Sequence, residues 1–347
     1  MTMTPVQGAG GTVLVTGGGG FIGSHTCVAL LEHGYEVVVV DDFSNSAPQA
    51  LDRVAAITGQ RPIVYSADLT DPLTLATVFR NHRCDVVVHF AAKKAVGESM
   101  QMPLTYFDIN IGGTTRLLRA MREHGVSKLL FSSSCSIYGD GAHGPLAETA
   151  PAAPTNPYAW SKWACERMIE QACDLHPELH AVCLRYFNPI GAHPSGLLGE
   201  DPLGVPHNLM PYLMRVAGGQ LAEVTVFGGD YPTHDGTAVR DYVHVIDIAD
   251  GHRVALEHLQ DAPGMRVFNL GTGIGTSVLQ LRDAVARASG VDLPYALRDR
   301  RPGDVAELVA DPRKVSAQWQ WQTSLDLDAM CRDAWNFQRH NPMGYRS

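Results

Sequence analysis

Tyr158 and Lys162 stand four residues apart in the segment Asn-Pro-Tyr-Ala-Trp-Ser-Lys that begins at Asn156. One helical turn puts both side chains on one face. Asn156 reads as the N-cap of that helix and Pro157 as its first residue. A phenol is a poor base at neutral pH, with an unperturbed pKa of about 10, so a tyrosine that accepts a proton needs positive charge nearby. Lys162 supplies an ammonium, and an oxidised nicotinamide would supply a second charge. The pair alone also fits a surface helix. What shifts the balance is Ser132-Ser133-Ser134, at the carboxyl end of an apolar run, because open parallel sheets bind their ligands at that edge. Ser134 is placed to hydrogen-bond a substrate hydroxyl.

A second constellation lies near the amino terminus. The apolar run Val13 to Thr16 leads directly into Gly-Gly-Gly-Gly-Phe-Ile-Gly, Gly17 to Gly23, and then into helical spacing that ends at Gly34. In such a strand, turn and helix, Gly17 permits the tight turn. Gly20 lets a pyrophosphate approach the backbone, and Gly23 allows close helix packing. The next apolar run ends in Asp41, where a carboxylate accepts from an adenosine ribose and repels a 2′-phosphate, so NAD is favoured over NADP. Asp42 extends that turn, and Asp68 follows the third run within reach of an adenine. No Gly-Lys dipeptide occurs, which excludes a phosphate loop of the Walker type.

The elements that must hold these residues are legible in the apolar pattern. Strands are expected at 13–16, 37–41, 63–65, 86–90, 129–132 and 181–185, apolar on consecutive positions and hence buried on both faces, with helical stretches between them. This is the pattern of an α/β fold, a doubly wound parallel sheet of the Rossmann type covered by helices on both faces. The expected division is an N-terminal extension without order over 1–11, a dinucleotide-binding domain over 12–188 that also receives segments near 237–262, and a smaller α/β substrate-binding region over 189–347. Texture changes beyond Asn188, where Gly, Pro and His become dense. Further short strands are expected at 226–227, 242–245 and 267–270, and amphipathic helices at 278–288 and 327–337.

Composition narrows the classes. The 27 basic and 36 acidic residues give a formal charge of -9, and only 5 of the bases are lysine, so no cationic stripe is available for nucleic acid. Seven scattered cysteines, without a Cys-x-x-Cys spacing, read as reduced buried thiols. No metal site is expected. No secretory signal and no run long enough to span a bilayer is seen, which points to the cytoplasm and away from membranes.

Taken together, these motifs resemble the UDP-hexose 4-epimerases of the extended short-chain dehydrogenase/reductase superfamily. The resemblance runs nearly end to end. It rests on VTGGGGFIGSH from Val15, HFAAKKAVGES from His89, FSSSCSIYGD from Phe131, NPYAWSK from Asn156, LRYFNPIGAHPSG from Leu184, GEDP from Gly199, HNLMPY from His207, DYPTHDGTAVRDYVHV from Asp230, NLGTG from Asn269 and RRPGD from Arg300. It implies that Tyr158 is the base, that Lys162 binds the nicotinamide ribose and tunes Tyr158, and that Ser134 assists at the sugar hydroxyl. It also implies NAD-side positions at Phe21, Ile22, Asn45, Ser46, Leu69, Phe90, Ala91, Lys94, Asn110, Tyr186 and Phe187. The UDP-sugar side is implied at Asn188, Asn208, Leu209, Arg240, Arg301, Asp304 and Leu308, and cations that stay charged suit a diphosphate. A homodimer is implied, with the apolar helices that begin at Leu104 and Pro157 as its interface.

The chain departs from the family pattern at Asp42, at Lys93 and most of all at Leu308. There, relatives carry a large Tyr or a small Cys that gates room for a 2-acetamido group, and Leu is intermediate. A nucleotide-sugar dehydratase would use the same Tyr and Lys but needs an acid/base pair beside Ser134, where this chain has Cys135 and Ser136. A non-catalytic NAD-sensing module would keep the fold without needing Ser134, Tyr158 and Lys162.

Overall fold

The computed structural model describes residues 10–140, 144–204, 206, 208–301 and 303–346. Residues 1–9 of the expected extension lie outside the described residues. The first part of the chain runs β1 (Thr12–Thr16), α1 (Phe21–Glu32), β2 (Glu36–Asp41), α2 (Pro48–Thr58), β3 (Ile63–Ser66), α3 (Pro72–Asn81), β4 (Val86–His89), α4 (Val96–Gln101), α5 (Pro103–Tyr106), α6 (Gly113–Glu123), β5 (Lys128–Ser134), β6 (Pro145–Leu146), α7 (Pro157–Leu175) and β7 (His180–Tyr186). The second part continues β8 (Asn188–Ile190), α8 (Leu209–Ala217), β9 (Val224–Phe227), β10 (Val239–His244), α9 (Val245–Glu257), β11 (Gly264–Leu270), β12 (Gly275–Ser277), α10 (Val278–Ser289), β13 (Tyr295–Arg298), β14 (Glu307–Ala310), α11 (Arg313–Trp319) and α12 (Leu327–His340).

Seven parallel strands form the main sheet in the order β11-β7-β5-β4-β1-β2-β3. Successive residues of one strand enter opposite layers, as a period of two requires. Val13, Val15, Val37 and Val39 pack with Cys27 and Leu30 of α1 and Val254 of α9. Leu14, Val38, Val40 and Val87 pack with Leu75 of α3, Leu117 of α6 and Ile169 of α7. That two-sided burial explains the near-continuous apolar runs. β3 departs from it. Ile63 and Val64 are exposed because β3 is the outer strand and no further layer covers its end.

The seventh strand, β11, arrives from late in the chain. Helix α9 falls inside the interval 237–262 and packs on α1, and β11 lies just beyond that interval and pairs with β7 along its full length. A smaller sheet joins β12, β10, β14 and β6, with β8 alongside β10. A third core made by Met210, Leu213, Val224, Leu281, Val285 and Met330 supports this part. No helix of the described residues is long and apolar enough to cross a membrane.

His25, His89 and His252 are buried, and the last two tie layers together. His89 lies between the Thr16 hydroxyl at 2.6 Å and the Thr114 hydroxyl at 3.1 Å, and His252 meets the Tyr186 hydroxyl at 2.6 Å. Burial pushes His25 and His89 down to about 3 and His252 to about 4, so all three are neutral in the folded chain at neutral pH. Unfolding lets each take up a proton below its ordinary value of 6.5. The unfolded state then binds more protons, and stability falls as the pH drops from 6.5 toward the folded values. Each group adds up to about 1.4 kcal/mol per pH unit in that window. Urea midpoints are therefore expected to decline between about pH 6.5 and pH 5.5; a flat or rising midpoint contradicts this.

Candidate active site

The glycine turn is built as its sequence requires. Gly17 has φ +72°, and a Cβ there would lie 2.7 Å from the amide nitrogen of Ala91, at the end of β4. A Cβ on Gly23 would lie 2.3 Å from the carbonyl of Gly17, so the first turn of α1 closes on the loop that precedes it. Gly20 is the N-cap of α1 and makes no side-chain cap, which leaves the opening amides of the helix pointing out of its end. Phe21 and Ile22 start the helix, with Ile22 packed on the core.

Asp41 ends β2 and governs the neighbouring loop. Its carboxylate accepts from the amide of Gly19 at 2.8 Å, the amide of Phe43 at 2.8 Å and the Ser46 hydroxyl at 2.8 Å. Burial raises its pKa, and those three bonds oppose the rise. Phe43 is held at φ 55°, an uncommon conformation for a residue with a side chain, which the carboxylate bond to its amide helps to impose. A carboxylate offers about four lone-pair sites, so a ribose hydroxyl still has one to use. Asp42 accepts from Ser44, Asn45 is exposed, Asp68 accepts from Thr70 in its own turn, and Leu69 is buried beside it. An anion-ready helix end with a carboxylate one strand away fits NAD.

Helix α7 starts as expected. The Asn156 side chain accepts from the Ala159 amide at 2.9 Å, and Pro157 follows. The half-buried Tyr158 faces Ser134 at the end of β5 closely enough for that hydroxyl to act on its phenol, while the Ser134 hydroxyl itself is hydrogen-bonded to the Ser136 hydroxyl. Loss of solvent pushes the phenol up to about 12; the Ser134 hydroxyl pulls it down, and Cys135 adds to the rise. Lys162 is buried, and its ammonium donates to the Ser132 carbonyl at 2.7 Å while lying 5.0 Å from the centre of the Phe131 ring. Burial brings it down to about 8. The Lys162 ammonium thus spends one of its three donors on a backbone oxygen and keeps its charge and two donors.

Asn110 sits in a π-helical turn, Phe107–Gly112, of the kind often found at functional sites. Its side chain accepts from the Lys93 amide at 2.8 Å and donates to the Lys93 carbonyl at 3.0 Å and the Ser161 hydroxyl at 2.9 Å, so it joins the loop after β4 to α7. Phe90 stands in that loop with its ring 4.8 Å from His252. Tyr186 and Phe187 are buried at the end of β7, where Tyr186 pairs in register with Ser134.

Of the residues expected on the UDP-sugar side, Asn188, Arg240 and Leu308 lie on paired strands β8, β10 and β14, Asn208 and Leu209 open α8, and Arg301 and Asp304 lie between β13 and β14. Asn188 pairs with Tyr242, and its side-chain oxygen is buried without a hydrogen-bond partner, which marks an acceptor waiting for a donor. Arg240 of β10 lies opposite Leu308 of β14 and forms an ion pair with Asp304. The Arg301 guanidinium stacks 3.9 Å from the centre of the Phe227 ring. Asn208 caps α8 ahead of Leu209, and its amide donates to Glu200 at 2.8 Å. Glu200 also receives Lys94 at 3.3 Å. Glu200 thus links a residue expected on the cofactor side to one expected on the UDP side. Nothing in the order Gly199-Glu200-Asp201-Pro202 marks Glu200 for that role. Glu166 and Arg185, a fully buried ion pair, were also missed; an arginine inside the apolar strand Ala181 to Tyr186 was the available signal.

Comparison with known proteins agrees with this geometry. A family model described as the NAD dependent epimerase/dehydratase family matches residues 13–271. The chain belongs to that family. It is 49% identical over 335 residues to a UDP-glucose 4-epimerase of Bacillus subtilis (strain 168), covering 96% of this chain and 99% of that one. Among solved structures, UDP-glucose 4-epimerase from Bifidobacterium longum in complex with NAD+ and UDP superimposes with a TM-score of 0.94 at 47% identity, covering 96% and 99%. The enzyme of Stenotrophomonas maltophila with bound NAD and formylated UDP-arabinopyranose gives 0.93 at 47%, with the same coverage.

The 2.3 Å approach at Gly23 yields a direct expectation. Gly23→Ala should lower stability by about 1–3 kcal/mol through overpacking and reduce NAD retention, read from urea unfolding and from cofactor released on denaturation. An unchanged midpoint with full NAD content contradicts the assignment.

Proposed function

We infer that the chain interconverts UDP-galactose and UDP-glucose by NAD-dependent epimerisation at C4, through transient oxidation of the sugar. The observation that carries this reading is the Tyr158 phenol brought next to Ser134 at the carboxyl edge of the parallel sheet, with Lys162 buried one turn further along α7. The glycine turn and Asp41 lie along the same edge, and Asn188 follows directly on β7. NAD, when bound, supplies the acceptor and donor of a hydride together with a positive ring.

Tyr158 takes the proton of the C4 hydroxyl and returns it, and Ser134 holds that hydroxyl in line. Lys162 contributes positive charge beside the phenol and anchors the ribose. Asn188, Asn208, Arg240 and Arg301 bind UDP, so binding energy is concentrated on a handle while the sugar turns over and presents its other face. Asp304 holds Arg240 in place. Leu308, in register with Arg240, sets the room at the sugar end. A dehydratase reading is disfavoured because the residue after Ser134 is a thiol that burial pushes up to about 12, unfit as an acid or base at neutral pH.

Met100, Met102, Leu104 and Trp160 form an exposed apolar face on α4, α5 and α7, helices that pack on one another. A second copy of the chain is its proposed partner. Seven free cysteines, all buried, suit a reducing compartment such as the cytoplasm.

Tyr158→Phe removes the acid/base group and leaves the packing. UDP-galactose turnover should fall by about 10²–10⁴-fold with NAD still bound; near-normal turnover rules out the assignment. Leu104→Glu should convert a dimer into a monomer in sedimentation velocity, and a wild-type chain that already sediments as a monomer removes the dimer proposal.

A further inference from the structure

The face of α7 that carries Tyr158 and Lys162 continues one turn further to Glu166, whose side chain is fully buried. Its carboxylate is held in a fork by Arg185 of β7, with Nε donating at 2.9 Å and Nη2 at 2.6 Å. The Ser133 hydroxyl, next to Ser134, donates to the same carboxylate. Ser133 and Arg185 stand side by side in the register of β5 and β7. Arg185 also donates to the Tyr138 hydroxyl at 3.0 Å and the Glu148 carbonyl at 3.2 Å, and Tyr138 passes the contact on to Asn269 of β11 at 2.7 Å. One carboxylate therefore ties the helix bearing Tyr158 to the strand bearing Ser134, and one guanidinium ties both to the sheet edge.

Stability alone does not call for such a pair. A buried ion pair does no better than well-packed apolar residues of equal volume, because desolvation offsets the attraction. What a two-point fork adds is direction, since it fixes rotation and sliding of the helix against the strand in a way that apolar packing does not. We propose that Glu166 and Arg185 are a positioning pair for the C4 reaction, holding Tyr158 and Lys162 in register with Ser134. The proposal rests on the epimerisation reading above.

The pair also bears on Lys162 through charge. Lys162 is faced by His89 of β4, Cys183 of β7, the Phe131 ring and Ser132 carbonyl of β5, and Cys165 and Glu166 of its own helix. Burial keeps His89 neutral and both thiols protonated. Of these groups Glu166 is the carboxylate, and it raises the pKa of Lys162. Taking that charge away lowers the pKa of Lys162, so the ammonium is lost at a lower pH.

Arg185 also lines a cavity of about 550 Å³ bounded by Ala150, Pro151, Trp163 and Lys314, and Pro151 is exposed at its rim. A small cation entering there can reach the place that Arg185→Ala would leave open.

The test is steady-state conversion of UDP-galactose by NAD-loaded wild type, Glu166→Gln and Arg185→Ala, with NAD content and thermal midpoint recorded for each. Glu166→Gln should lose about 10- to 100-fold in kcat, as expected for an ångström-scale misplacement. KM should stay nearly unchanged, and the alkaline limb of the kcat profile should move to lower pH. Arg185→Ala should lose kcat similarly and regain part of it with millimolar guanidinium but not with potassium chloride. Folded, NAD-loaded Glu166→Gln with normal kcat and an unmoved alkaline limb overturns the proposal. So does Arg185→Ala whose loss merely follows its folded fraction and ignores guanidinium. Wild type that leaves UDP-galactose unchanged overturns the epimerisation reading itself, and the positioning role with it.

Discussion

The proton on the Tyr158 phenol is the constraint around which this site is organised. A hydroxyl proton must leave the sugar at neutral pH for a base whose ordinary pKa is about 10, and the surroundings of Tyr158 push it further up, to about 12. Within the chain the opposing influence is the nearby Ser134 hydroxyl. Lys162, at about 8, stays largely charged at neutral pH but spends one of its donors on the Ser132 carbonyl. On the proposed mechanism, lowering the phenol takes the charge of Lys162 together with the positive charge brought by oxidised NAD. The proposed base is then competent only when the hydride acceptor is present, which would keep the two halves of alcohol oxidation together.

The rest of the structure serves to hold that phenol still. The Asn156 cap and Pro157 set where α7 begins. Asn110, in its π-helical turn, fastens Ser161 and the Lys93 backbone together, and Glu166 fastens the far side of the same helix to β5 and β7. The glycine turn and Asp41 make the proposed dinucleotide side, while Asn188 and Arg240 make the proposed substrate side on strands β8 and β10, which pair with each other. Glu200 spans the two sides by receiving both Lys94 and Asn208.

Much of this was legible in the amino-acid order because its causes are local. A strand running into Gly17-Gly18-Gly19-Gly20, a carboxylate at the end of the next strand, and a Tyr and Lys one helical turn apart are short-range signals with direct geometric meaning. The exposure of Ile63 and Val64 was not legible, because an apolar run looks the same in a central strand as in an edge strand, and strand order decides which it is. The entry of β11 into the main sheet was hidden for the same reason: Val267 to Leu270 reads as a strand but carries no mark of its partner. The Lys162 contact with Ser132, the Glu166 pair with Arg185 and the Glu200 contact with Lys94 join residues 30, 19 and 106 positions apart, so each depends on a crossover that spacing does not encode.

The most direct measurement is the ultraviolet difference titration of the Tyr158 phenol, taken as wild type minus Tyr158→Phe, with NAD oxidised and again after chemical reduction in place. The account predicts a phenol that ionises well below its ordinary value of about 10 with oxidised NAD and moves upward once the nicotinamide loses its positive charge. A phenol that titrates at the same pH in both states contradicts it.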